Sequence, residues 1–305
     1  MNGLREFYVT LLDRLDTEAA VTFSTELAAG EKAFGSREGW RQETVSGKPQ
    51  VLLCGGGHVS AALAPLLSAL DWRVCVQDDR ADFVTAERFP LAEELTCAPF
   101  TELEQRTFAP GTYFVIMTRG HKDDYVCLSA LLKKDFGYMG LIGSRSKIAI
   151  TRKRLLEDGF SEADFAAVHT PVGLDIGAET PMEIAVSIAA EIIQEFRSAP
   201  RNYMEQHIVT GIREQDRPLV LATVLEKQGS SPRGAGTRML VDGEGRIIGT
   251  VGGGAVEAAV ITEASALCGG EACKVVEYSL SNTQAGNLGM ICGGHIQVLL
   301  EPLNL

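Results

Sequence analysis

The side chains best suited to chemistry in this chain sit in short glycine-containing segments. Near the C-terminal end, LGMICGGH (288–295) places Cys292 between apolar residues and the pair Gly293-Gly294. A thiol there is either a small buried hydrophobe at a strand end or a thiolate and soft ligand presented to a bound group. The segment QGSSPRGAGTRML (228–240) gathers Ser230, Ser231, Arg233 and Arg238 in a turn, a donor set suited to an anion. In GTVGGGAVEAAV, Gly252, Gly253 and Gly254 stand between a strand-like and a helix-like run. Such glycines serve close backbone approach or tight packing, and Glu257 on the first helical turn is a cap or a ligand contact.

A second group lies in the first half. VLLCGGGHVSAAL sets Gly55, Gly57 and His58 between a strand and a helix, the arrangement that lets backbone amides meet a pyrophosphate. Ser60 takes the third fingerprint position in place of Gly or Ala. Asp78 closes the next strand about where a ribose-binding carboxylate belongs, and Arg80 could reach a phosphate instead. The plainer alternative is a Rossmann-like loop that binds nothing. In TRGHKDD (118–124), His121 beside Asp123 and Asp124 could transfer a proton or orient a ligand. It is equally readable as an exposed loop histidine, with Asp123 as a helix cap. IGSRSK (142–147) offers Ser144, Arg145 and Lys147 at a helix start, as an anion cradle or as ordinary surface cations. Cys268 and Cys273 in CGGEAC are close in sequence, but no second pair or histidine cluster completes a metal site.

Strand-like QVLLC, WRVCVQDD, TYFVIMT and YMGLIG alternate with helical segments, which predicts a parallel, doubly wound sheet over residues 49–198. TPMEIAVSIAAEIIQEF closes it as a helix, with Thr180 as N-cap, Pro181 at the first position and Glu183 completing a capping box. RSAPRN reads as a linker. Residues 203–305 read as a smaller α+β domain: a helix, the strand PLVLATVLEK, a hairpin turned at Asp242-Gly243 or Glu244-Gly245, the helix AVEAAVITEASAL and two closing strands. The fold class is thus α/β, a Rossmann-like domain followed by an α+β domain. Residues 1–48 form a helix–strand extension. FYVTLLDRLDTEAAVTFSTEL there loosely echoes MEQHIVTGIREQDRPLVLATVLE, so the extension is either a truncated relative of the last domain or a segment packed against it.

Charge excludes one class of partner. Lys and Arg number 28 against 40 Asp and Glu, a net −12 that matches a nucleic-acid backbone poorly. Seven scattered cysteines, no signal-peptide h-region and no apolar run of membrane length lead to the expectation of a cytoplasmic protein with reduced thiols.

Together GGGHV, VCVQDDR with ERFP, VIMTRGHKDD, GLIGSRSK, PVGLDIGAETPMEIAVSIAAEI, GSSPRGAGTRML, GTVGGGAVE and GMICGG resemble the XdhC/CoxI family, maturation factors of xanthine dehydrogenase and related molybdenum hydroxylases. In the usual family arrangement the GSSPR-bearing domain comes first, whereas here it comes second. The resemblance implies a cytoplasmic chaperone, more a cofactor binder than a turnover catalyst. Its cargo would be molybdenum cofactor (molybdopterin), which it supports in sulfuration and inserts into a hydroxylase apoenzyme. A cysteine desulfurase is a further candidate partner, and a homodimer is the default assembly. On this reading the serine–arginine turn and the glycine clusters hold phosphate, and Cys292 acts as thiolate or molybdenum ligand. NAD(P), or another nucleotide, in the Gly55 loop remains the alternative, as in an oxidoreductase. The three C-terminal segments are expected to converge at one edge of the small domain.

Overall fold

The computed structural model describes residues 3–18, 20–198, 202–228, 234–280 and 294–304. The chain divides into two compact units, Met1–Gly47 with Asn202–Leu305, and Lys48–Arg201. It opens with α1 (Leu4–Leu15), β1 (Ala20–Thr25), β2 (Lys32–Phe34) and β3 (Arg41–Ser46). β1 is the middle of an antiparallel sheet ordered β2-β1-β3. The two outer strands go beyond the helix and strand expected here. KAF and RQETVS are too short and too polar to announce themselves by alternation.

The second unit runs β4 (Gln50–Cys54), α2 (His58–Ala69), β5 (Arg73–Asp78), β6 (Glu94–Cys97), β7 (Thr112–Ile116), α3 (His121–Leu131), β8 (Phe136–Leu141), α4 (Arg145–Glu157), α5 (Glu162–Ala166) and α6 (Pro181–Ser198). Its sheet is parallel, ordered β6-β5-β4-β7-β8. From Val51 to Cys54, β4 is apolar and buried because both of its faces are covered. Leu52 and Cys54 join Phe114, Ile116, Met139 and Leu141 in a core closed by Leu128 and Leu131 of α3. On β7, Tyr113 instead meets Trp72 and α6's Phe196. The start of α6 is as its sequence predicts: the Glu183 amide donates to the Thr180 hydroxyl, and the Thr180 amide donates to the Glu183 carboxylate. β6 (ELTC), a partly exposed edge strand, carries no comparable apolar signal.

The chain then returns to the first unit with α7 (Gln206–Glu214), β9 (Leu219–Gln228), β10 (Arg238–Val241), β11 (Ile247–Gly249), α8 (Gly254–Leu267), β12 (Lys274–Leu280) and β13 (Gly294–Leu303). These strands form an antiparallel sheet ordered β11-β10-β9-β13-β12. Alternation on β9 divides two cores. Leu219 and Leu221 pack with α1, α7, β1 and β3. Val220, Ala222 and Val224 pack with Val260 and Ala264 of α8. Both glycine pairs proposed for the β10–β11 hairpin belong to one turn. Asp242 accepts the amides of Glu244 and Arg246 at 2.9 Å, and the Gly245 amide donates to the Asp242 carbonyl at 3.1 Å.

Candidate functional site

In the parallel-sheet unit, the strand order reverses between β4 and β7, the place where open α/β sheets gather ligands. Gly55 to His58 leave β4 at this point. The glycines there answer first to the protein's own packing. A Cβ on Gly56 would come within 2.0 Å of the Phe83 carbonyl oxygen, and one on Gly55 within 2.4 Å of the Met117 carbonyl oxygen. Gly57 caps α2 without a side-chain bond, and His58 is exposed as the first residue of α2. Ser60, unexpected at its fingerprint position, is fully buried and donates its hydroxyl to the Gly55 carbonyl.

Asp78 does not face an open ribose position. Its carboxylate accepts the Gly56 amide at 2.8 Å, the Arg80 amide at 3.0 Å, and a two-pronged guanidinium contact from Arg80 at 2.8 and 2.9 Å. Four donors meet the roughly four lone-pair sites of a carboxylate. Burial opposes the charge, but the Arg80 and Gly56 hydrogen bonds outweigh it and hold the carboxyl down to about 2. The Arg80 guanidinium also lies 3.5 Å from the Phe83 ring centroid, and Arg88 donates to the Gly56 carbonyl at 2.7 Å. Asp78, Arg80, Phe83 and Arg88 therefore tie the glycine loop to the segment after β5.

Around the next strand end, His121 is the exposed first residue of α3, and Ser144 and Arg145 are exposed at the start of α4. Ser144 shares a 3.1 Å hydrogen bond with Ser146 and makes no side-chain cap bond to the helix. The group that stands out here is Asp124, which the sequence places only as a neighbour of His121. It is buried and accepts the Thr118 hydroxyl at 2.5 Å. Burial pushes its carboxyl up to about 6, against the lowering effects of Thr118 and Lys147. An acidic residue six positions after a strand-end threonine, on the inward side of α3, was the available signal.

The antiparallel unit holds the other predicted site residues. Ser230, Ser231, Arg233, Cys292 and Gly293 lie outside the described residues. Their anchor points are described, and the register fixes them. β9 ends at Gln228 opposite His295, and β12 ends at Leu280 opposite Gly294, the first residue of β13. β10 begins at Arg238 opposite Thr223, and β11 ends at Gly249 opposite Met239. Residues 229–237, 250–253 and 281–293 are thus all connected to the same end of one sheet. At this end Gly252, Gly253 and Gly254 all have positive φ, a backbone that an L residue at Gly253 (φ +77°) would adopt only under strain. Glu257 fills the turn they make. Its carboxylate accepts the Val251 amide at 3.0 Å, the Gly253 amide at 3.1 Å and the Thr250 hydroxyl. Burial works against its charge, but these donors keep its carboxyl below the usual glutamate range.

Arg238, read from sequence as an anion donor, serves the interior instead. It is 4% exposed, pairs with Glu43 of β3 and donates to Asn202 at 2.8 Å. Beside it lies a buried pair that sequence reasoning missed, Lys32 with Glu301 at 2.8 Å, where Glu301 also accepts the Tyr8 hydroxyl at 2.7 Å. Among the described residues, no group of three or more His, Cys, Asp or Glu suited to a metal occurs, around Cys268 and Cys273 or elsewhere. Among those residues, no helix is long and apolar enough to cross a membrane.

Comparison with known proteins places both halves. Residues 51–192 match the XdhC Rossmann domain, and residues 212–279 match the XdhC and CoxI family. An uncharacterized protein YqeB of Escherichia coli is 34% identical over 159 residues, which is 52% of this chain and 29% of that protein. A protein of Bacillus subtilis described as a probable xanthine dehydrogenase component is 36% identical over 153 residues, 50% of this chain and 44% of that protein. The matches thus span less than half the length of these curated relatives. A solved structure described as a xanthine dehydrogenase from Bacillus halodurans aligns with a TM-score of 0.55 at 25% identity, covering 65% of this chain and 66% of that one. Carrying both domain types, the chain belongs to the XdhC/CoxI family.

Proposed function

We propose that this protein is a xanthine dehydrogenase accessory factor that binds molybdenum cofactor at the loop-bearing end of its antiparallel sheet and passes it to a molybdenum hydroxylase apoenzyme. The observation that supports this most is the strand register, which ties the serine–arginine segment, the glycine turn and the cysteine segment to one sheet end. The donor types suit the cargo. A pterin phosphate calls for hydroxyl, guanidinium and amide donors, as in Ser230, Ser231, Arg233 and the turn at Gly252–Gly254. Molybdenum or a transferable sulfur calls for a soft ligand, and Cys292 is the cysteine in these three segments. Glu257 now holds two turn amides, so an incoming anionic group would compete with its carboxylate there. The relative described as a probable xanthine dehydrogenase component supports a hydroxylase of that kind as recipient. On this reading the chain's work is binding and transfer rather than turnover.

The oxidoreductase alternative draws no support from the Gly55 loop, since Asp78 spends its acceptor capacity on Gly56 and Arg80. The test of the proposal is activation of a hydroxylase apoenzyme by the cofactor-loaded protein, beside its Cys292→Ala and Arg233→Ala variants. Reduced activation by both variants is expected. Undiminished activation by both would remove these residues from the account.

A further inference from the structure

Two stretches of the first unit share one construction. Residues 16–19 separate α1 from β1, and residues 215–218 separate α7 from β9, four in each case. Adding 200 to each residue number aligns them without a gap. Val9 and Thr10 fall on Val209 and Thr210, Asp16 on Asp216, and Glu26 on Glu226. The buried positions of the helices coincide, Tyr8, Leu11 and Leu12 with Ile208, Gly211 and Ile212. So do Val21 and Leu221, which enter one shared core.

The strands continue the match. β1 pairs with β2 in an antiparallel hairpin, Phe23 opposite Phe34, as β9 pairs with β10, Thr223 opposite Arg238. A last strand then lies antiparallel on the other side of each central strand. Val45 of β3 stands opposite Val21, and Glu301 of β13 opposite Leu221. The orders β2-β1-β3 and β10-β9-β13 are therefore one topology reached by one path. The N-terminal stretch has no counterpart of β11, α8 and β12, and its hairpin connection is residues 26–31 where the later one is 229–237.

We infer that residues 4–46 are a contracted second copy of residues 204–303, stripped of the motif loops and retained as the built-in partner of the complete copy. Charge makes the pairing specific. The complete copy buries Glu301 and Arg238, and the contracted copy supplies Lys32 and Glu43 to them. At the positions equivalent to Arg238 and Glu301 the contracted copy carries Phe34 and Val45. Conversely, Leu299 stands opposite Thr223 where Glu43 stands opposite Phe23, so a second complete copy would not bring Glu43's charge. The face is built for this segment rather than for another chain, and each chain carries one loop-bearing copy.

The test uses the full chain with a protease site inserted between Gly47 and Lys48 and cut after folding. The fragment 1–47 is expected to stay bound through gel filtration in native buffer. In cut Lys32→Met and Glu43→Gln chains it should leave on the order of 100-fold more readily, because each change strands a buried charge. Release from the cut parent, or parent-like retention in both variants, overturns the built-in partner. Should a single variant fail to fold, Lys32→Met with Glu301→Gln removes both charges of one pair. Retention near that of the parent is expected, and a loss as severe as in Lys32→Met overturns the charge argument. An experimentally determined structure tests the copy itself. The Cα atoms of residues 4–25 should superpose on 204–225 at the 200-residue offset, and a different offset or strand order overturns it.

Discussion

Replacing Asp124 with asparagine should make the protein more stable at neutral pH. The carboxylate is buried against the start of α3 and takes the Thr118 hydroxyl at 2.5 Å, yet burial still raises it from 3.8 to about 6. A shift of about two units at ~1.4 kcal/mol each sets a ceiling of about 3 kcal/mol. Solvent screening at this partly buried group makes that a ceiling, so about 1–2 kcal/mol is the expected gain. The sign follows from proton binding. The folded chain holds this proton more tightly than the unfolded one, so the penalty is absent below pH about 4, grows as the pH rises through about 6, and is complete above that. Asparagine keeps an acceptor for Thr118 and carries no charge. Urea denaturation from pH 4 to 8, followed by Trp72 fluorescence in a Trp40→Phe background, reads this unit. The parent should lose stability relative to Asp124→Asn across that range, with the two nearly equal at pH 4. A parallel pH dependence in both chains, or a variant weaker than the parent at pH 8, would refute burial as the cause.

The two carboxylates that hold the glycine turns, Asp78 and Glu257, should behave in the opposite sense. Asp78→Asn should cost about 2 kcal/mol at pH 7 by urea denaturation, because a group held near 2 contributes stability that disappears only as the pH falls below about 4. The same variant should leave bound pterin unchanged, and calorimetric titration of the parent with NAD(H) or NADP(H) should show no micromolar binding. Glu257→Gln should cost about 1–2 kcal/mol through weakened bonds to Val251, Gly253 and Thr250, with the difference shrinking as the pH falls through the carboxylate range. Arg238→Met should lower the denaturation midpoint of the antiparallel unit by the equivalent of about 3–5 kcal/mol, since Glu43 would lose its buried partner. Asp13→Ala, at an exposed pair with Arg213, should move it by under about 1 kcal/mol.

Features carried by local pattern were legible in the sequence. The apolar run Val51–Cys54 of β4, the capping box at Thr180–Glu183 and the alternation of β9 each follow from residues close in the chain. Pairings across long separations were not. Lys32 and Glu301 are 269 positions apart, and nothing near either names the other. A signal did exist on β13: Glu301 alternates in phase with buried Leu299 and Leu303, and an inward carboxylate requires a counter-charge from elsewhere. The glycine loops show a different limit. Sequence correctly located turns at Gly55–Gly57 and Gly252–Gly254, but it could not tell whether their amides face a ligand or the protein's own Asp78 and Glu257. The echo between the N-terminal stretch and residues 204–226 gained weight only when burial and strand order were laid beside it, because few identities survive in the alignment.

The most direct measurement is the pterin and molybdenum content of the protein purified from a cofactor-producing host, alongside Cys292→Ala and Arg233→Ala. With one loop-bearing copy per chain, the account predicts about one pterin and one molybdenum per parent chain, and a clear loss of one or both in each variant. A parent that carries neither, or variants loaded as fully as the parent, would contradict it.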